Sequence, residues 1–288
     1  MSARASVRTV FILGAGKVGR ALAHALRAAE KPTIFVTLHA ARRGAPKKTI
    51  DADLLILAVR DRDLGPLARD LADRGLVSKR TACVHVAGAQ TAEAIAPLRA
   101  VSAGVAQMHP MISFASPRVF PSLARGHVHV QGDPVAVKRA RALAKRIGMT
   151  PRTFASLDAV GYHAAAGLVA NGAAALAAVG VELLAASGVP EKIAPAMLGP
   201  LLRSVAENVE ALGFPAALTG PVRRGDAGAV ERHFDVLRAR LPSAFPLYLA
   251  SVSAQLPLAR KIGEATASAL DEILAFVARA QEEARSRR

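Results

Sequence analysis

The chain has 288 residues, 52% of them apolar, a formal net charge of +16 and a single cysteine. That length favours two domains over one compact core, the apolar content excludes a disordered chain, and Cys83 alone excludes a disulfide framework or a cysteine metal cluster. Of the 38 basic residues 29 are Arg and 9 are Lys, which together with abundant Ala and no Trp reads as GC-rich coding bias. The basic residues are scattered, and no helix-turn-helix, zinc or aromatic stacking module accompanies them. The charge therefore points to an anionic cofactor and a small-molecule substrate, with no nucleic acid as partner.

In chain order, Met1 to Arg8 lacks the apolar core of a signal peptide, and the run Val10 to Leu13 is too short to span a membrane. Thr9 to Leu13 reads as a strand, followed at once by Gly14-Ala15-Gly16-Lys17-Val18-Gly19 and a helical pattern at Val18, Leu22, Ala25 and Leu26. Strand signals follow at Ile34–Leu38, Leu54–Val59 and Cys83–Val86, with a helix around Leu64–Leu76 between the last two. A further strand pair is expected at Val105–Met108 and His127–Val130, then an amphipathic helix at Val135–Ile147. Short apolar runs alternating with helices predict an α/β fold, a Rossmann-like doubly wound parallel sheet covered on both faces. The connection from the second strand to Leu54 is short, as though a strand or helix of a full Rossmann half had been lost.

After Asp158 long helical patterns take over: Tyr162–Ser187, Glu191–Leu212, Ala227–Arg240, Phe245–Ile262 (interrupted by Pro246 and Pro257) and Glu264–Arg285. The expected domains are 1–157, binding a dinucleotide, and 158–288, an all-α domain that completes the active site. Ala164–Val181 approaches membrane length but contains Asn171 and three glycines, so a packed helix is expected, with no membrane partner and a cytoplasmic location. The long helices carry more apolar surface than one small domain buries, which predicts a homodimer through the helical domain.

A strand before Gly14 and a helix after Gly16 give the glycine string the context of a dinucleotide loop. Gly14 permits the tight turn, Gly16 the approach of a pyrophosphate, and Gly19 close packing of helix on strand; Ala15, Lys17 and Val18 complete the loop. The helix start offers free N–H groups and the positive end of its dipole. The second strand ends Thr37-Leu38-His39-Ala40-Ala41-Arg42-Arg43, with no acid before Asp51. Thr37, His39, Arg42 and Arg43 suit a 2′-phosphate, so the expected cofactor is NADP. Ala58 and Val59, at the end of the third strand, join the cofactor-binding set.

Three further strings carry candidate chemistry. His85-Val86-Ala87-Gly88-Ala89 and Met108-His109-Pro110 both follow strands, on the edge where ligands of open α/β sheets bind, and each histidine could be structural or functional. Tyr162-His163-Ala164-Ala165-Ala166 and Asn171 place His163 and Asn171 eight residues apart, on one helix face. Leu218-Thr219-Gly220-Pro221-Val222-Arg223-Arg224-Gly225-Asp226 is a polar loop in which Asp226 is either an N-cap or functional, and His233 follows on the next helix.

Taken together these strings resemble the bacterial proteins that join a Rossmann-like NADP-binding domain to a helical domain of poorly assigned function. Those proteins are similar to pyrroline-5-carboxylate reductases, 3-hydroxyacid dehydrogenases and deazaflavin-dependent NADP reductases. The most specific matches are the loop at His109, the helix from Tyr162 to Asn171, and Leu218 to Asp226. Two features depart from the pattern: Ala87 stands where family members commonly have Ser, and the segment before Asp51 is shortened. The resemblance implies hydride transfer to a ketopantoate-like 2-oxo acid or to an imine. His163 is then the proton donor, Asn171 orients the substrate or His163, Arg224 clamps a carboxylate, and His109 lines the pocket. A non-catalytic NADP-binding redox sensor or regulatory subunit is the alternative.

Overall fold

The computed structural model describes residues 7–29, 33–41 and 44–286. The chain divides into two compact units, residues 1–170 and 171–288. The division falls inside a helix and later than the boundary expected at Asp158. Tyr162 and His163, in the first turns of that helix, explain the shift, because their rings pack against His109 in the first unit.

The first unit is built from β1 (Thr9–Leu13), α1 (Lys17–Ala28), β2 (Phe35–His39), β3 (Leu54–Leu57), α2 (Asp61–Asp73), β4 (Ala82–His85), β5 (Val105–Pro110), β6 (His127–Gly132), α3 (Pro134–Arg146) and β7 (Thr150–Arg152). The strands form one seven-stranded sheet in the order β2-β1-β3-β4-β5-β6-β7, parallel except where β5 meets β6. Alternation along β3 shows how the sheet is covered on both faces. Leu54 and Ile56 join a core with Leu22 and Leu26 of α1 and Leu143 of α3. Leu55 and Leu57 join a second core with Leu64 and Leu71 of α2. The chain leaves β1 for β2 on one side and returns to β3 on the other. The carboxyl ends of β1 and β3 therefore form the switch point at which open α/β sheets bind ligands. Among the described residues no α-helix separates β2 from β3, in keeping with the short connection in the sequence.

Several elements escaped the sequence patterns, among them the short helix Pro221–Arg224 inside the stretch read as a polar loop. Ala92–Ala100 is a 3-10 segment whose buried residues, Ala92, Ile95 and Leu98, recur every third position and so match neither helix nor strand periodicity. β7 holds Pro151, which is tolerated because β7 is an edge strand.

The second unit contains the later part of α4 (Ala159–Ala186), then α5 (Ala194–Leu212), α6 (Pro221–Arg224), α7 (Ala227–Arg240), α8 (Phe245–Ile262) and α9 (Ala267–Ser286). Its core joins Val222, Val230, Phe234, Leu249, Val252 and Ile273 from the last four helices. α8 runs unbroken through Pro257 and accepts Pro246 in its first turn. The helix expected around Ala164–Val181 forms within α4; no residue of it is fully buried, but Val179 and Leu183 pack partly buried against the second unit's core.

Candidate functional site

The first part of the site is the loop from β1 into α1. Gly14 has φ +123°, and a Cβ there would run into the Ala58 carbonyl, so only glycine fits this turn. Its N–H donates to the His39 carbonyl at 2.8 Å, and the Ala58 N–H donates to Leu13 at 2.8 Å, tying the ends of β1, β2 and β3 together. At Gly19 a Cβ would meet the Gly14 carbonyl, which is how closely the helix lies on the loop. Gly16 faces open space. It precedes the first turn of α1, where N–H groups lack partners within the helix and no acidic residue opposes an anion. Val18 packs against the core, and Lys17 is exposed.

Beside this loop lies a cleft of about 580 Å³, lined by Gly14, Ala15, Gly16, Ala58 and Val59, and also by Arg20, Ala40, Ala41, Arg60, Asp63 and Leu67. Arg20 and Arg60 escaped the sequence reading, although Arg60 follows Val59 directly and an exposed cation at a strand's carboxyl end was a readable signal. Thr37 and His39 line a second cavity, of about 510 Å³, with Lys47 and Lys48. Strand alternation places them there, because Val36 and Leu38 between them turn to the core. His39 stacks on Phe11 at 6.1 Å, and its Nε2 lies 2.9 Å from the Gly44 carbonyl. Arg42 and Arg43 lie outside the described residues.

The second part of the site is a group of histidines at the ends of β4 and β5. His109 Nδ1 lies 3.1 Å from the Val86 carbonyl. A carbonyl only accepts, so Nδ1 carries the proton and the neutral ring leaves its Nε2 lone pair free. That lone pair points over Gly88. A Cβ on Gly88 would stand 2.9 Å from His109 Nε2 and closer still to His163 Nδ1, so both imidazoles crowd the space that glycine leaves. The two rings meet edge to face at 5.7 Å, and Tyr162 meets His109 at 5.8 Å. Gln107 holds the loop beneath them by donating Nε2–H to the Ala87 carbonyl at 2.9 Å. His129 stacks on Phe154 at 5.6 Å and approaches Tyr162 at 5.9 Å. Gln107 and His129 were missed because both sit inside strands, where a polar residue carries no motif.

His85 is fully buried, with Nε2 2.8 Å from the Thr91 carbonyl. Burial pushes His85, His109 and His129 below the ordinary imidazole value of 6.5. The folded protein thus holds them neutral where the unfolded chain takes up protons. Stability is fully present above pH 6.5 and is lost as pH falls towards the depressed folded values. The melting temperature should therefore drop between pH 7 and pH 5, before the carboxylates titrate; a flat profile over that range would show that burial does not hold these rings neutral.

In the second unit, Asn171 and Arg224 are both exposed. Asp226 is the N-cap of α7, accepting from the Ala229 N–H at 2.9 Å. His233 Nδ1 lies 2.8 Å from the Tyr248 hydroxyl, a structural pairing. Arg223 binds Glu264 at 2.7 Å and the Leu218 carbonyl at 2.8 Å, pinning the loop before α7.

Comparison with known proteins gives two matches to domain models. Residues 2–110 match a Rossmann-like domain, and residues 127–254 match a domain of unknown function, DUF2520. Among solved structures, a candidate NADP oxidoreductase from Bacteroides fragilis is 20% identical with a TM-score of 0.65, over 88% of this chain and 99% of that one. A protein from Thermotoga maritima is 20% identical with a TM-score of 0.62, over 88% and 98% of the two chains. The pyrroline carboxylate reductase of Plasmodium falciparum, solved with NADP bound, is 11% identical with a TM-score of 0.55, over 88% and 99%. At these identities the likeness is one of fold. No curated protein matches the chain.

Proposed function

We propose that this chain, which matches a Rossmann-like domain over residues 2–110 and a DUF2520 domain over residues 127–254, is a nicotinamide-dependent reductase of a small carbonyl or imine compound. The substrate class is a ketopantoate-like 2-oxo acid or a cyclic imine. One observation carries the reading: beside the sheet whose switch point holds the glycine loop, the imidazoles of His109 on β5 and His163 on α4 converge over Gly88.

The residues present fit a dinucleotide. The open face of Gly16 leaves room for a pyrophosphate at the start of α1, and Ala58, Val59 and Leu67 offer the cleft an apolar wall. The bound cofactor supplies the hydride. His163 supplies the proton to the developing oxyanion or amine, its imidazole standing beside that of His109 over Gly88. His109, locked in one tautomer by Val86, remains an acceptor through Nε2 and orients the donor or the substrate beside it.

Loss of NADPH absorbance with a panel of 2-oxo acids and cyclic imines tests the proposal. Turnover of a member of either class is the expected result. Tight cofactor binding without turnover across the panel would assign the chain to the non-catalytic, sensor-like class instead.

The cofactor preference is NADP over NAD. No acid follows β2 before Asp51, and Arg42, Arg43, Lys47 and Lys48 lie in the connection. A charge-assisted hydrogen bond to phosphate contributes about 1.5–3 kcal/mol. NADP should therefore bind at least about tenfold more tightly than NAD, and Arg42→Ala with Arg43→Ala should remove most of that difference. Fluorescence titration with each cofactor measures it, and equal or tighter binding of NAD would exclude a phosphate contact by this segment.

A further inference from the structure

We propose that the cavity on the flank of the sheet, beside β1 and β2, is a second binding site, which takes a planar aromatic compound carrying a negative charge. The site originates in the short connection from β2 to β3. Strand alternation turns Val10, Ile12, Val36 and Leu38 to the face covered by α1. The registered partners Thr9 with Phe35, Phe11 with Thr37, and Leu13 with His39 turn to the other face. There Leu13 joins the core under α2, but among the described residues no α-helix crosses from β2 to β3 to cover the rest. Phe11 is therefore only half-buried, and Phe35 is 69% exposed. Residues 46–52 run alongside in place of a helix and close a cavity of about 510 Å³, within the range of about 300–1,000 Å³ typical of small-molecule sites.

The lining states the chemistry of the occupant. Its floor is aromatic: Phe11 stacks on His39 with ring centroids 6.1 Å apart, and Phe35 lies on the same face. A flat ring buries the most area against such a floor. Lys47 and Lys48 line the cavity and are exposed. Among the described residues neither has an ion-pair partner. The acid in the lining, Asp51, is taken up by Arg80, so the field over the floor is positive. An aromatic floor beside two free cations suits a ring at one end of the ligand and a phosphate or carboxylate at the other.

This cavity is distinct from the cleft at the glycine loop, with which it shares no lining residue. The cleft lies at the carboxyl edge of the sheet, around Gly14, Gly16 and Ala58. The flank cavity reaches back to Thr9 and Phe35, the first residues of β1 and β2. Thr9 stands about 13 Å along the strand from Leu13, the last residue before Gly14. A dinucleotide laid across the carboxyl edge therefore leaves the aromatic floor of the flank free.

Fluorescence titration of the full chain with 1-naphthyl phosphate tests the site, read with and without saturating NADP. The chain has no Trp, so the naphthyl emission stands clear of the protein's own. Saturable one-to-one binding is expected in both conditions. Lys47→Gln with Lys48→Gln should weaken it at least about tenfold, and Phe35→Ser at least about threefold. These substitutions fall on exposed side chains, and a thermal melt checks that the fold is kept. Comparison with 1-naphthoate shows which anionic group the site prefers; either preference supports the proposal when neutral 1-naphthol binds at least about tenfold more weakly. Equal binding of 1-naphthol would reduce the cavity to a bare apolar face and overturn the proposal. So would absence of saturable binding, binding untouched by the substitutions, or displacement of the probe by NADP, which would make the cavity part of the cofactor cleft. Binding that weakens as protein concentration rises would give the face to a second copy, with the same consequence.

Discussion

Replacing His163 by Ala will lower turnover by about 10²–10⁴-fold, the usual contribution of a general acid, while NADPH affinity changes by less than about threefold. The asymmetry follows from position: His163 stands over Gly88 beside His109, and it does not line the cleft next to the glycine loop. His109→Gln should be damaging too, and the double variant should be less than additive, because the two rings serve one spot. Gly88→Ala offers a steric version of the same test, since its methyl group would drive both rings apart without removing either. His233→Ala is the control, its imidazole being engaged by Tyr248. Near-normal turnover by the His163 variant would place the proton donor elsewhere, with His109 the next residue to test.

Gly16→Val is expected to abolish NADPH binding, a loss of at least about a hundredfold in affinity, with the helical unit still folded. Nothing lies within 4 Å of a Cβ at this position, so the backbone can accept a side chain without internal collision. A branched side chain would instead fill the space at the start of α1 through which a pyrophosphate approaches the N–H groups. This separates Gly16 from Gly14 and Gly19, where a Cβ would strike backbone carbonyls and a loss of binding could reflect loss of fold. Fluorescence titration together with a thermal melt distinguishes the cases. Unchanged NADPH binding by a folded Gly16→Val protein would defeat the dinucleotide reading.

Much of this was legible in the residues themselves. The strand, glycine string and helix at the amino end form a local pattern, since the apolar run, the turn and the helix start are neighbours in the chain. The same holds for the long helices after Asp158, whose periodicity survives Pro257 and Pro246, and for β3, whose four apolar residues announce burial on both faces. Among the elements the patterns missed are some whose form depends on context: the 3-10 segment at Ala92–Ala100, with its period of three, edge strand β7, with its proline, and the one-turn helix α6 inside a polar stretch.

The residue types of the site were likewise readable, but their roles waited on the tertiary structure. A histidine in a strand looks the same whether it is sealed like His85 or open over a glycine like His109, because burial and tautomer are set by neighbours distant in sequence. Thr91 closes one ring of that pair and Val86 orients the other. Thr37 and His39 lay on the right strand, yet its alternation turned them to a second cavity and left Ala40 and Ala41 at the glycine loop. Composition alone predicted that the long helices carry more apolar surface than one chain covers. Only the fold showed where: α7, α8 and α9 fill their own core, whereas α4 adds only Val179 and Leu183 at its edge and α5 buries only Ala194, because which apolar face finds a partner is a property of packing and not of sequence period.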